Sequence, residues 1–378
     1  MFNNIQTIGN FMNETNAINK PKRIFYYDVL RAIAIIGIVF CHVSNIYVSR
    51  DINSSSLYIS AFFDCFRDFS IPIFVMLSGA LLIGKKDSLS KFFKKRLSRL
   101  FIPFLFWVLI YIIFISTIIS PPFNLDNSIK IFLGTGGTLG VHFWFVWMII
   151  IAYVGIYIIN KVMEIGTERI SNFNGKFITI LAILAVIYIS IVHFRLFNPY
   201  NDKLIYYISF LSYIIIGHFL AKSDILGKRI DKKYLIIATG LLFLGSYLWY
   251  ILCFVVPRTH MAHVFVTLGY FNLLILFMSL NAFLFFKYLS KSGKFEDIEN
   301  KTLGKLFTTI SNYSYGIYLI HYLILARLKI NLIRYVNFTQ GSSLIWIPVL
   351  VIATTAISIA ILAILDRIPY LDKVTGKK

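Results

Sequence analysis

The chain of 378 residues is too apolar to be covered by polar surface in water. Hydrophobic residues make up 58% of it and charged residues only 14%, whereas soluble domains carry about a quarter charged residues. Lipid solvates apolar side chains directly, so the composition indicates a membrane protein. The net charge of +20 would also suit a nucleic-acid-binding protein, and the placement of the charges has to decide between the two.

Ten segments are long and apolar enough, or nearly so, to be predicted as membrane-spanning helices. Residues 1–23 form a polar tail without the apolar core of a cleavable signal peptide, so the first span is expected to act as an uncleaved anchor. We therefore predict an all-α integral membrane protein with about ten transmembrane helices. The segments are Tyr27–Val48, Leu57–Gly84, Leu100–Ile119, His142–Asn160, Phe177–Val192, Leu204–Leu220, Tyr234–Val256, Val264–Phe286, Leu306–Ala326 and Leu344–Leu365.

Lys and Arg are concentrated on one side of these spans. If residues 1–23 are cytoplasmic, 27 of the 37 Lys and Arg residues lie in inward loops and tails and nine lie in outward loops, with Arg31 inside the first span. This bias predicts that both termini are cytoplasmic, and it explains the basic charge without nucleic acid. We expect a multi-pass protein of the cell membrane, with a membrane domain over 24–370 and a basic cytoplasmic tail over 371–378.

Disulfides and metal sites are not predicted. Cys41, Cys65 and Cys253 are widely spaced within or beside apolar runs, fit neither a disulfide framework nor a CxxC site, and are interpreted as small buried hydrophobes. His260 and His263 lack the further ligands that a zinc site needs.

The longest outward loop, residues 120–141, contains a Gly-rich run at 134–137. The run lacks the Lys-Ser/Thr ending of a phosphate-binding P-loop, and a flexible loop is predicted instead.

The first span carries two ionisable residues on one helical face. Arg31 and His42 are eleven residues apart, which is three turns plus roughly 20° and about 16 Å along the axis. Asp28, one turn before Arg31, is placed to hold its guanidinium. Such residues usually face a cavity or a partner, but a snorkelling Arg and an unrelated buried His would give the same spacing.

Short motifs in a fixed order then give the chain a family resemblance. Arg31 and His42 resemble the Arg-x10-His signature of the acyltransferase family 3 membrane proteins, preceded by the usual Asp-x-Leu-Arg opening at Asp28. Four further matches follow along nearly the whole chain. They are Phe74–Gly79, Arg96–Arg99 followed by Pro103, His142–Phe145, and Ser314–His321.

This resemblance implies a membrane acyltransferase. The acyl donor would be an acyl-CoA, usually acetyl-CoA, that approaches from the cytoplasm as a co-substrate and is not permanently bound. The acceptor would be a hydroxyl of a cell-surface polysaccharide or of a lipid-linked sugar, as in stand-alone O-acetyltransferases. A transporter or flippase of a lipid-linked sugar is the alternative, and whether the chain acts alone or as a homodimer stays open.

Roles for individual residues follow from the motifs and the chemistry. His42 is predicted to be the general base that takes a proton from the acceptor hydroxyl, because a neutral imidazole can do so at neutral pH. Arg31, Arg96 and Arg99 are predicted to bind the CoA phosphates, and Arg31 is also predicted to be a catalytic residue beside His42.

The remaining site candidates each have a structural explanation beside the functional one. His321 is expected at the depth of His42, where it would orient the base or bind the acceptor. Ser78 is expected either to line the cavity or to permit helix packing with Gly79. Trp144 and Tyr318 would stack on a substrate or only pack in the core.

His142 stands at the outward start of a span. There it is expected to be a solvated histidine without a special role.

Overall fold

A computed structural model describes residues 23–48, 55–119, 122–136, 139–255, 269–293, 295–332 and 343–377. This part of the chain is helical throughout, with no strand among the residues described. The α-helices are α1 (Phe25–Val48), α2 (Ser55–Asp64), α3 (Phe66–Leu82), α4 (Leu89–Phe114), α5 (Leu125–Leu133), α6 (Trp144–Arg169), α7 (Phe173–His193), α8 (Lys203–Ser209), α9 (Leu211–Lys222), α10 (Lys232–Val255), α11 (Leu273–Lys291), α12 (Glu296–Glu299), α13 (Thr302–Leu332) and α14 (Ser343–Leu365).

The all-α membrane architecture is confirmed. Within the described residues, nine helical stretches are long and apolar enough to cross a membrane. The ninth predicted span lies in α13, which is the longest helix at 31 residues but is less apolar than the others. Polar side chains such as Ser311, Ser314 and His321 lower the mean hydropathy of α13. These three side chains are buried inside the protein.

Several predicted boundaries are wrong. The segment predicted as Leu57–Gly84 is split into α2 and α3 at Cys65, and the segment Leu204–Leu220 is split into α8 and α9 at Phe210. The helix predicted to begin at Val264 begins at Leu273, after a short 3-10 turn, and residues 256–268 lie outside the described part.

The loop over residues 120–141 is not simply flexible, because it contains the helix α5. Asn124 caps its first turn by accepting a hydrogen bond from the Asn127 amide at 2.9 Å. Gly134 ends it with a φ of 63°, and a Cβ there would lie 2.1 Å from the Trp144 amide nitrogen. The first glycine of the Gly-rich run is thus a helix C-cap that seats α5 on α6.

The centre of the bundle is α1, which packs against α2, α3, α11, α13 and α14. In an apolar stretch of 18 residues within α1, 72% of the residues are buried inside the protein. The same share is 28% in α7 and 28% in α10. The outer helices therefore expose most of their side chains to lipid, whereas α1 presents ionisable residues to other helices.

Glycines set the close approach of α3 and α9. A Cβ on Gly79 would lie 1.9 Å from the Ile214 carbonyl oxygen, and one on Gly217 would lie 2.2 Å from that of Met76. Real Cβ atoms do not come so close to backbone, so each glycine permits a contact that no other residue fits.

The substitution Gly79→Ala should lower stability, because the added methyl group forces α3 and α9 apart. Overpacking of this kind costs about 1–3 kcal/mol. Thermal unfolding of the detergent-solubilised protein would measure it. The control is Gly245→Ala in α10, where a Cβ meets nothing within 4 Å among the described residues. Equal melting temperatures for the two variants would show that the α3–α9 contact is not tight.

Candidate active site

The fixed charge of Arg31 is compensated inside the bundle. Asp28 is only 1% exposed, and its carboxylate accepts hydrogen bonds from Arg23, from Arg31 at 3.4 Å and from the Ser311 hydroxyl at 2.7 Å. The Arg31 guanidinium also donates to Ser311 at 3.2 Å. This network joins α1 to α13, and it excludes a snorkelling Arg31 without partners.

Two more arginines lie at the same end of the bundle. Arg96 is held by Asp87 at 3.2 Å and lies 3.9 Å above the ring of Phe92. Arg99, one turn further along α4, is exposed and makes no ion pair with any described residue. Arg99 thus offers a cation that is free to meet an anionic ligand.

A cavity of about 310 Å³ begins at these three arginines and extends into the bundle. Its wall changes from cationic to mostly apolar along its length. The deeper residues of the wall include Ile38, Ser78, Phe145 and Tyr318. Ile38 and Tyr318 each precede a histidine by about one turn, His42 on α1 and His321 on α13.

Three imidazoles meet just beyond this end of the cavity. The ring centroid of His42 lies 5.2 Å from that of His321 and 6.1 Å from that of His142, and the last two are 5.3 Å apart. Tyr322 covers the group, with its ring centroid 4.8 Å from that of His42. The predicted depth of His321 is therefore confirmed.

Hydrogen bonds fix the tautomer of neutral His321. Its Nδ1 lies 3.0 Å from the Ile317 carbonyl oxygen and 2.8 Å from that of Tyr318. Carbonyl oxygens only accept, so Nδ1 must carry the proton and Nε2 must hold a lone pair. Within the described structure Nε2 is buried and has no hydrogen-bond partner. Nε2 of His321 is thus available beside His42 as a hydrogen-bond acceptor.

The expectation of a solvated His142 is wrong. His142 is only 4% exposed, because the 3-10 turn Val141–Phe143 carries its ring inward to Tyr111 and to the other two histidines. Its carbonyl oxygen accepts a hydrogen bond from the Tyr318 hydroxyl. In the sequence, the family motif His142–Phe145 was the signal that His142 belongs to the site.

Other site candidates separate into lining and packing residues. Ser78 lines the cavity, and its hydroxyl donates a hydrogen bond to the Phe74 carbonyl at 3.1 Å. The neighbouring Gly79, not Ser78, makes the close contact between α3 and α9. Trp144 packs among aromatic side chains, with its ring stacked on Tyr270 at a centroid distance of 5.9 Å, and it does not line this cavity.

A buried ion cluster lies near the His42 end of α1. Arg67 contacts Asp68 at 3.2 Å and the Cys41 sulfur at 3.4 Å, and the Tyr250 hydroxyl donates to Asp68 at 3.0 Å. Cys41 and Cys65 are both buried, as predicted. His260, His263 and the Cys253 side chain lie outside the described residues.

Comparison with known proteins identifies the family of the chain. A family model described as an acyltransferase domain, that of acyltransferase family 3, matches residues 24–363. The chain belongs to acyltransferase family 3. The three clustered histidines and the three arginines of the cavity mouth lie inside the region of this family 3 acyltransferase that the model matches. No curated protein and no solved structure matched the chain.

The substitution Asp28→Asn should destabilise the family 3 acyltransferase, since it leaves Arg31 uncompensated among the helices. Breaking a buried ion pair costs about 3–5 kcal/mol. Thermal unfolding in detergent would measure it. In the control Asp126→Asn, the carboxylate is 72% exposed in its pair with Lys130, and little change is expected. An Asp28→Asn protein as stable as the control would contradict the compensation of Arg31 by Asp28.

Proposed function

We propose that this membrane acyltransferase moves an acyl group, most simply acetyl, from cytoplasmic acyl-CoA to a hydroxyl of a cell-surface polysaccharide or lipid-linked sugar. The observation that carries the proposal is one continuous arrangement. Three arginines stand at the mouth of a cavity whose other end is one turn from three clustered imidazoles, those of His142 and His321 being buried.

The shape of an acyl-CoA suits this arrangement. Its phosphates are anionic and lie at one end, and its thioester lies at the end of the long pantetheine arm. Arg31 and His42 are about 16 Å apart along α1, which is comparable with the length of that arm. Arginine suits the phosphate end because its planar group binds phosphate oxygens bidentately, and Arg99 has no competing carboxylate among the described residues.

The chemistry assigned to His42 is general base catalysis. The acceptor oxygen attacks the thioester carbonyl carbon while a ring nitrogen of His42 takes the hydroxyl proton. The C–S bond then breaks, and the imidazolium returns the proton to the departing CoA sulfur. The reaction forms an ester and a free thiol without any other reactant. A covalent acyl-imidazole is a second route through the same residue.

His321 is assigned the task of orienting His42. Because Nδ1 of neutral His321 must hold its proton, Nε2 can accept the N–H of His42. A small rotation of the two rings, whose centroids are 5.2 Å apart, would form that bond. It would leave the other nitrogen of His42 as the base.

His42→Ala should lower acetyl transfer from acetyl-CoA by about 10²–10⁴-fold, the usual contribution of a general base. The assay is transfer of labelled acetyl or release of CoA, with the purified protein in liposomes. His193→Ala is the matched control, since His193 is a histidine with little exposure that ends α7 and is not one of the three clustered histidines. If wild type and His42→Ala behave alike across many acceptors and acyl donors, the catalytic assignment fails and transport of a lipid-linked sugar becomes the leading hypothesis.

Arg99→Ala should raise the KM for acetyl-CoA by about tenfold and change kcat little, because a charge-assisted contact to phosphate is worth about 1.5–3 kcal/mol and less when exposed. Lys94→Ala is the control, as Lys94 is an exposed cation of the same helix that does not line the cavity. An equal KM for both variants would remove Arg99 from the donor site.

A further inference from the structure

The segment that follows α14 is folded onto the bundle. After a short 3-10 helix, Leu371–Val374, the chain runs beside α4 and α13. The Trp107 indole N–H donates to the Val374 carbonyl at 3.0 Å, and Thr375 is completely buried. A basic tail was predicted over 371–378, and within it Val374 and Thr375 are buried against the bundle.

Two glycines bring this segment into direct contact with α13. A Cβ on Gly316 would lie 2.2 Å from the Thr375 carbonyl oxygen. Gly376 has a φ of +63°, and a Cβ there would lie 2.8 Å from Cδ1 of Tyr315. The segment therefore sits directly against the helix that carries His321, and Gly376 and Lys377 form part of the cavity wall.

Lys377 is held in this wall by two residues. Its ammonium forms an ion pair with Asp366 and lies 5.4 Å from the ring centroid of Tyr313. The Tyr313 hydroxyl donates to the same carboxylate at 3.2 Å. The side chain keeps 40% of its exposure, so the ammonium can still meet a ligand.

The charge of Lys377 is maintained by its partner. The hydrogen bond to Asp366 raises the pKa of Lys377. The ammonium of Lys377 is therefore protonated at neutral pH, and it loses its charge only at a more alkaline pH than a free lysine does.

We propose that Lys377 is a further donor-binding residue, whose ammonium contacts a phosphate of the acyl-CoA at the arginine end of the cavity. The inference rests on the proposed function. It adds a cation that lies beyond the region of the family match, which ends at residue 363, and a compact ammonium complements the planar guanidinium groups as a point charge.

The test compares two donors that differ in their phosphates. Lys377→Gln should raise the KM for acetyl-CoA roughly five- to tenfold with little change in kcat, given a partly exposed charged contact. With S-acetylpantetheine, which has the thioester but no phosphates, Lys377→Gln and wild type should have the same KM. Lys377→Arg should restore most of the affinity for acetyl-CoA.

Lys373→Gln is the matched control. Lys373 is an exposed lysine of the same segment, beside Tyr370 and away from the cavity lining. Its KM for both donors should equal that of wild type. Melting temperatures of all variants would separate a loss of folding from a loss of donor contact.

Other results would contradict either the role of Lys377 or the proposed function, and the two cases can be told apart. An unchanged KM for acetyl-CoA in Lys377→Gln, with an active wild type, overturns the role of Lys377 and leaves the proposed function standing. An equal increase with both donors shows that Lys377 only supports the wall, and this also overturns the phosphate contact. A wild type that neither binds CoA in a direct binding assay nor transfers acetyl from it overturns the proposed function itself.

Discussion

A guanidinium among apolar helices requires a partner, and the carboxylate of Asp28 supplies it for Arg31. An ionisable group inside a membrane span is costly unless it is paired or faces water. Asp28 is almost completely buried and also accepts the Ser311 hydroxyl at 2.7 Å, so the pair fixes the rotation of α1 relative to α13. His42 and His321, further along the same two helices, are brought face to face by that rotation. The positions of the charge and of the imidazoles thus depend on one carboxylate.

Helices α1 and α13 also separate two environments that the proposed transfer from acyl-CoA needs. Phosphates require cations that are reachable from water, whereas a neutral imidazole base is favoured by exclusion of water. The cavity joins the two, with arginines at one end and apolar and aromatic side chains towards the other. The chemistry proposed for His42 consists of proton transfers to and from its ring.

Much of the fold was predictable because lipid makes a strict demand on composition. Most spanning segments were found from apolar length alone, and the shared face of Arg31 and His42 followed from helical periodicity. The breaks at Cys65 and Phe210 were missed because neither is a glycine or proline that would mark the end of a helix. Burial of His142 was missed for a different reason: a residue at a helix start looks solvated until the packing of other helices around it is known. The packing of residues 374–376 against α4 and α13 was not predicted, because contacts between distant parts of a chain leave no local pattern.

Glycine contacts at the centre of the bundle also decide which parts can move. A Cβ on Gly37 would lie 2.2 Å from the Ser70 hydroxyl oxygen and 3.0 Å from the Phe66 carbonyl oxygen, so α1 also approaches α3 closely. Sliding of one of these helices past another would bring atoms into collision at the glycines, so α1, α3 and α9 are expected to move together. In α7 and α10 only 28% of the residues in the apolar stretch are buried, against 72% in α1. These two helices are therefore held less firmly than α1. Any motion that admits a substrate is therefore expected first in these peripheral helices, while His42 stays with the unit formed by α1, α3 and α9.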